Sequence, residues 1–192
     1  MASEPLPVAL FADGTEFRAW MEVNHSSSAG LDLKMAKKSS SHSSIDYAQA
    51  LEVALCFGWI DSRAKRIDDD WYVQRFGPRT AKSPWSKRNC DAVTALAERG
   101  MLEPSGIAEV ERAKVDGRWE RAYDGPRTAT LPDDFLEALA RNPAAAAFFE
   151  TLNSQNRYAV FYRLQEAKRP ETRARRIEKF VQQLAEKRKF HD

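Results

Sequence analysis

The chain has 192 residues, of which 43% are hydrophobic and 30% are charged. This is the composition of a globular protein, and it argues against wholesale disorder. No run of residues is long and apolar enough for a transmembrane helix, and the segment from Pro5 to Phe11 lacks the basic flank of a signal peptide. We therefore expect a cytoplasmic protein that does not insert into membranes.

The chain contains few metal-ligating residues. Its two cysteines, Cys56 and Cys90, and its three histidines do not follow the spacing of a zinc site. The sequence also lacks a P-loop, a dinucleotide-binding fingerprint and a nucleophile elbow. The sequence therefore predicts no metal, no cofactor and no catalytic residue, and Cys56 is expected to be a small buried side chain.

The N-terminal elements follow from hydrophobic spacing. Residues 1–12 are expected to lie on the surface or along a sheet edge, and residues 15–23 have the apolar spacing of a short helix. Residues 31–36 alternate apolar and charged side chains, which predicts a half-buried strand. Residues 46–57 are predicted to form a helix that ends at Gly58.

Residues 58–77 have the pattern of a β-hairpin. Alternation from Trp71 to Phe76 places Trp71, Val73 and Arg75 on one face and Tyr72, Gln74 and Phe76 on the other. Three consecutive aspartates, residues 68–70, are expected to form the turn.

The rest of the chain is predicted to be helical. The predicted helices span 83–99, 104–114, 133–141, 144–152, 153–168 and 170–187, and residues 124–131 are the candidate linker. The fold class is therefore α+β, predominantly helical, with a small antiparallel sheet in the N-terminal half. We expect an α+β domain over residues 1–123 and a helical region over residues 131–192.

Charge is distributed unevenly although the net charge is only +2. Residues 58–89 contain eight basic and four acidic residues, and residues 90–152 contain seven and twelve. Residues 168–189 contain nine basic and three acidic residues. Such segregation is expected of a protein with an anionic partner. The alternative is that the segments neutralise one another in the fold.

A candidate anion site lies where a helix is predicted to begin. We expect Ser83 to cap that helix and Pro84 to occupy its first turn, so that free backbone N–H groups and the helix dipole attract an anion. The alternative is that Arg79 and Arg88 pair with Asp61 or with the acidic helices. The candidate ligand-binding residues are Trp59, Asp61, Arg75, Arg79, Ser83, Trp85, Lys87 and Arg88.

Several motifs together resemble one bacterial family. They lie at Tyr47–Leu51, Ala54–Asp61, Gln74–Arg79, Ser83–Asn89, Ala113–Tyr123 and Arg157–Lys179. The combination is similar to the YdeI/OmpD-associated family, also called bacteriocin-protection proteins, over about residues 14–186. Asp32 departs from the pattern, since the family usually carries an aromatic residue there. The resemblance implies a role in resistance to bacteriocins and supplies no catalytic mechanism.

From these observations we expect a non-catalytic, cytoplasmic binding or stress-resistance protein. It would use an aromatic and basic surface around residues 59–88 to bind an anionic ligand or a protein partner. One alternative is a nucleic-acid or anion-binding protein that also uses the basic C-terminal helix. A second alternative is an enzyme with a small-molecule pocket that no known motif marks.

Overall fold

The computed structural model describes residues 5–126, 128–167 and 169–191. One compact unit ends at Ala122, and a second begins at Tyr123. Within the described residues there are four strands and eight helices, and all four strands belong to the first unit. The predicted α+β class with a predominantly helical chain is confirmed. Residue 127 of the predicted linker lies outside the described residues.

The elements are numbered in chain order. The strands are β1 (Val8–Leu10), β2 (Leu31–Ala36), β3 (Trp59–Arg66) and β4 (Trp71–Pro78). The helices of the first unit are α1 (Gly14–Asn24), α2 (Tyr47–Cys56), α3 (Lys87–Glu98) and α4 (Pro104–Val115). Those of the second unit are α5 (Asp133–Ala140), α6 (Pro143–Glu150), α7 (Ser154–Gln165) and α8 (Pro170–Ala185).

The strands form one sheet in the order β1-β2-β4-β3. The hairpin of β3 and β4 is antiparallel, and so is the pairing of β4 with β2. β1 pairs with β2 in parallel, with Val8 opposite Asp32. The predicted antiparallel pairing of the hairpin with the strand near residue 31 is thus confirmed, and β1 adds a parallel strand that makes the sheet mixed. The chain passes through α1 between β1 and β2, and this crossover lets both strands run in the same direction.

The two faces of the sheet differ because side chains alternate along each strand. Leu31, Leu33 and Met35 of β2 are buried on the inner face, together with Phe76 of β4. The residues on the opposite side are half-buried or exposed, and we call this side the outer face. It carries Asp32 and Lys34 of β2, Trp71, Val73 and Arg75 of β4, and Arg63 and Lys65 of β3.

Aromatic side chains join the sheet to α1 in the core of the first unit. Phe17 is fully buried on α1, and its ring centroid lies 6.0 Å from that of Phe76. Trp59 begins β3 and is 1% exposed, with its indole N–H donating to the carbonyl of His25 at 3.1 Å. The ring of Trp20 meets the Trp59 ring edge-on. These contacts fix the start of the hairpin against α1.

Helix α3 begins later than the sequence predicts. Its N-cap is Ser86, whose hydroxyl accepts from the backbone N–H of Asn89 at 3.1 Å, so the prediction of a cap at Ser83 is wrong. The physical reason is the burial of Trp85, which is 2% exposed and packs against Trp119 with ring centroids 5.0 Å apart. An earlier helix start would turn this ring away from its partner.

The second unit has its own core among α5 to α8. The core side chains are Phe135, Leu139, Ala145, Phe149, Leu152, Val160, Leu164, Ile177, Phe180 and Leu184. The predicted apolar face of α8 is confirmed, with Ile177, Phe180 and Leu184 buried and Val181 half-buried against the same core. The buried Asn156 side chain accepts from the backbone N–H groups of Phe190 and His191, which holds the C-terminal segment against α7. No helix of the described chain is both long and apolar enough to cross a membrane.

Trp59 and Trp71, which begin the two strands of the hairpin, should differ in how much they contribute to stability. Trp59→Ala is expected to lower the free energy of unfolding by about 3–5 kcal/mol, because it removes a fully buried ring. Trp71→Ala, on the outer face, should cost about 1–2 kcal/mol, the worth of its ring and cation contacts. Urea denaturation of the two variants measures both values. Equal losses would contradict the assignment of inner and outer faces.

Candidate anion-binding site

An ion pair lies on the outer face between neighbouring strands. Asp32 of β2 and Arg75 of β4 are register partners, so their side chains leave the sheet side by side. The Arg75 Nε donates to one carboxylate oxygen of Asp32 and Nη2 donates to the other, both at 2.7 Å. Such a bidentate pair holds both side chains in one orientation.

Each member of this pair stabilises the charged form of the other. The hydrogen bonds from Arg75 lower the pKa of Asp32 against the opposing effect of burial, and the positive charges of Arg63 and Lys65 lower it further. The bond to Asp32 raises the pKa of Arg75. Both groups therefore stay ionised at neutral pH.

Two further cations reach the outer face from β3. The register of β3 against β4 shifts between Asp61 and Ala64, so that Lys65 lies opposite Val73 of the outer face. Arg63, two residues before Lys65, lines the same cavity. Both side chains are exposed. Neither forms a hydrogen bond or an ion pair within the described part of the chain.

These side chains line a cavity of about 790 Å³, which we call the sheet cavity. Its floor is formed by Asp32, Val73 and Arg75, with Arg63 and Lys65 at one side. The segments 5–7 and 28–30 form the other wall. The volume lies within the range of small-molecule binding sites.

Glycine at position 30 allows this wall to approach the sheet. A Cβ at Gly30 would lie 2.8 Å from the Cδ1 atom of Leu6 and 3.0 Å from the carbonyl oxygen of Phe76. The backbone N–H of Asp32 donates to the carbonyl of Pro7 at 2.9 Å, which fastens the N-terminal segment to β2. This wall of the cavity is therefore held against β2 by backbone contacts.

The sheet cavity has an excess of positive charge. Three cations, Arg63, Lys65 and Arg75, face one carboxylate, that of Asp32. Because Arg75 and Asp32 neutralise each other, Arg63 and Lys65 account for the excess. An anion in the cavity would meet these two charges at a partly solvated site, where attraction is stronger than in bulk water.

An aromatic cluster lies beside the cavity on the same face. The Lys34 ammonium lies 4.2 Å from the centroid of the Trp71 ring. The His42 ring stacks on Trp71 with centroids 5.0 Å apart and an interplanar angle of 28°. The Trp71 ring is thus already in contact with two side chains of the protein.

The structure places most of the predicted site residues elsewhere. Arg79 is 5% exposed, with its guanidinium carbon 3.6 Å from the Trp85 ring centroid and its Nη1 donating to the carbonyl of Pro84. The Ser83 hydroxyl accepts from the backbone N–H of Thr80 at 2.9 Å. These contacts organise residues 79–85 as part of the fold.

The remaining predicted residues are spread over the first unit. Trp59 is buried in the core, and the Asp61 carboxylate accepts from the hydroxyl of Tyr47 at 2.9 Å. Lys87 and Arg88 are exposed in the first turn of α3. Arg75 is the one predicted residue that lines the sheet cavity.

Sequence reasoning missed Asp32, Arg63 and Lys65 as site residues. The alternation of Arg63 and Lys65 along a predicted strand was the available signal, since residues two apart point to the same side. The pairing of Asp32 with Arg75 joins positions 43 residues apart, and no local pattern reports it. Within the described residues, no group of three or more His, Cys, Asp and Glu side chains is placed to hold a metal ion.

The fold and the cavity define a two-unit α+β protein with a basic cavity on the outer face of its sheet. Residues 9–109, more than half of the chain, match the family model described as Domain of unknown function (DUF8412), and the chain belongs to this family. Residues 128–187 match the model described as Bacteriocin-protection, YdeI or OmpD-Associated.

The resemblance to the bacteriocin-protection family is thus confirmed, and its model covers residues 128–187. The motifs between Tyr47 and Asn89 lie within the other match, so the sheet cavity belongs to the part covered by the DUF8412 model. Comparisons with curated proteins and with solved structures found no match.

The ion pair of Asp32 should make stability depend on pH. Because its pKa is lowered in the fold, the ionised carboxylate stabilises the protein above its unfolded pKa of about 3.9, and this contribution is lost as pH falls through the lowered folded pKa. The Asp32→Asn variant should be less stable than wild type at pH 7, and the difference should shrink towards pH 2–3.

Urea denaturation from pH 7 to pH 2.5 measures this difference. Asp69→Asn is the control, since Asp69 pairs with Arg66 in an exposed turn, where an ion pair contributes little. A difference between wild type and Asp32→Asn that stays constant over this range would contradict the ion pair.

Proposed function

We propose that the protein is a non-catalytic binding protein that holds an anionic ligand in the sheet cavity. The observation that carries this proposal is the pair of cations, Arg63 and Lys65, beside an Asp32–Arg75 pair that is already satisfied. Unpaired cations at the edge of a concave, partly apolar site are a common arrangement for recognition of anions.

The charges in the cavity favour binding over catalysis. The lowered pKa of Asp32 and the raised pKa of Arg75 both strengthen the charged forms, so neither group exchanges a proton near neutral pH. General acid–base catalysis needs a group whose pKa lies near the working pH. The arrangement therefore supports a role in which the side chains hold a ligand without reacting with it.

The match of residues 128–187 supports a loose association of this binding with bacteriocin protection. That match lies in the second unit, whereas the sheet cavity lies in the first. We propose that the first unit recognises the ligand and that the resistance role involves the second unit.

A single-stranded nucleic acid is the second candidate ligand. Lys34 and Trp71 extend the basic surface beyond the cavity, as in proteins that bind a phosphate backbone and stack bases on aromatic rings. The contacts of Trp71 with His42 and Lys34 favour a small ligand, because stacking of a base would have to displace one of them.

Two charge-reversal variants test where an anion binds. Arg63→Glu with Lys65→Glu should abolish thermal stabilisation by inorganic phosphate, citrate or a short oligonucleotide at low salt, because it replaces both unpaired cations. Lys87→Glu with Arg88→Glu, which makes the same charge change on exposed residues of α3, should leave this stabilisation intact. A ligand at 100 times its dissociation constant stabilises a fold by about 2.7 kcal/mol.

The outcomes distinguish a site in the sheet cavity from a site at the start of α3. Loss of stabilisation in the α3 variant and its retention in the β3 variant would place the site at the start of α3 and overturn the proposal. No stabilisation of the wild type by any of the three probes would also overturn it. Binding that increases steeply with oligonucleotide length would favour the nucleic-acid candidate.

A further inference from the structure

The hydrogen bonds of Arg75 leave part of its guanidinium group unused. Asp32 accepts from Nε and Nη2, and Nη1 forms no hydrogen bond within the described part of the chain. A guanidinium group carries five N–H donors in a fixed plane. Asp32 therefore orients Arg75 so that the Nη1 edge remains available to a ligand.

Three cationic side chains line the same cavity. They are the side chains of Arg63, Lys65 and Arg75, of which Arg75 keeps its Nη1 group free of Asp32. The hydrogen bonds from Arg75 lower the pKa of Asp32 most, and the positive charges of Arg63 and Lys65 lower it further. A ligand group with several acceptor oxygens fits such a set better than a group with one acceptor.

The charge of the cavity also selects among anions. With Asp32 ionised, the lining side chains sum to two positive charges. A phosphate monoester carries between about −1.5 and −2 charges at pH 7 and offers three strong acceptor oxygens. A sulfate ester or a phosphodiester carries one negative charge and would leave half of the excess unmatched.

The other wall of the cavity is uncharged. It is formed by Pro5, Leu6 and Pro7 with residues 28–30, and Val73 lies on the floor. None of these residues has an ionisable side chain. This wall suits the apolar part of an organic molecule, whereas free inorganic phosphate would leave it uncovered.

We infer that the ligand is a small organic phosphate monoester whose phosphate binds between Arg63, Lys65 and Arg75 while its organic part lies against Leu6, Pro7 and Val73. This inference rests on the proposed function and specifies its ligand class. Phosphate recognition by arginine side chains is bidentate and directional, which the fixed plane of Arg75 favours.

A pair of isosteres tests the charge requirement. Phenyl phosphate and phenyl sulfate have the same shape and differ by about one charge at pH 7.5. Calorimetric titration of the full chain at low salt should give at least tenfold tighter binding for phenyl phosphate. Arg63→Gln and Lys65→Gln should each weaken phenyl phosphate binding, and Arg88→Gln, on the exposed surface of α3, should not.

The pH dependence supplies an independent measurement. The second pKa of a phosphate monoester is near 6, so affinity for phenyl phosphate should fall about tenfold between pH 7 and pH 5. Among the described residues, the ionisable side chains that line the cavity are Asp32, Arg63, Lys65 and Arg75. The hydrogen bonds between Asp32 and Arg75 lower the pKa of the first and raise that of the second, so the charge of this pair does not change over this range. Affinity for phenyl sulfate should therefore stay constant.

The results distinguish the assignment of a phosphate monoester from the proposal that the sheet cavity binds an anion. Equal affinity for phenyl phosphate and phenyl sulfate, with both lost in Arg63→Gln and Lys65→Gln, would overturn the monoester assignment and retain the anion site. Binding of inorganic phosphate as tight as that of phenyl phosphate would overturn the role of the apolar wall. Absence of binding for every anion would overturn both.

Discussion

Strand β4 lies between β2 and β3, and its two-residue alternation constrains both faces of the sheet at once. Phe76 points inward and is fully buried, whereas Arg75 points outward to Asp32. A shift of register by one residue would move Arg75 into the core and Phe76 into water, at a cost of several kcal/mol. The hydrophobic core therefore also fixes the position of the arginine that orders the sheet cavity.

Local patterns in the sequence were sufficient to predict β2, the hairpin and most helices, because apolar spacing and terminal glycine or proline residues specify them directly. The start of α3 was different. Ser83 and Ser86 are both acceptable caps, and the choice depends on the burial of Trp85 against Trp119, which is 34 positions further along the chain. The parallel pairing of β1 likewise depends on a crossover through α1 that short-range patterns do not report.

The candidate site was harder to predict because the sequence shows charges without their partners. Arg79 contributes to the basic segment, yet it stacks on Trp85 inside the fold. Arg63 and Lys65 belong to the same segment and remain exposed on the outer face. Asp32, a departure from the pattern of the resembling family, is the residue that holds Arg75 in place. Partner choice, set by long-range packing, therefore separates the arginine that is buried in the fold from the one that stays exposed on the sheet.

Binding of an anion in the sheet cavity is measured most directly by a nuclear magnetic resonance titration of the full chain with phenyl phosphate at low salt. If the ligand binds in the sheet cavity, chemical-shift changes should be largest for the side-chain resonances of Arg63 and Arg75 and for the backbone amides of β3, residues 28–32 and Val73. Lys87 and Arg88 should change little. Changes concentrated at the start of α3, with the resonances of β3 unmoved, would contradict binding in the sheet cavity.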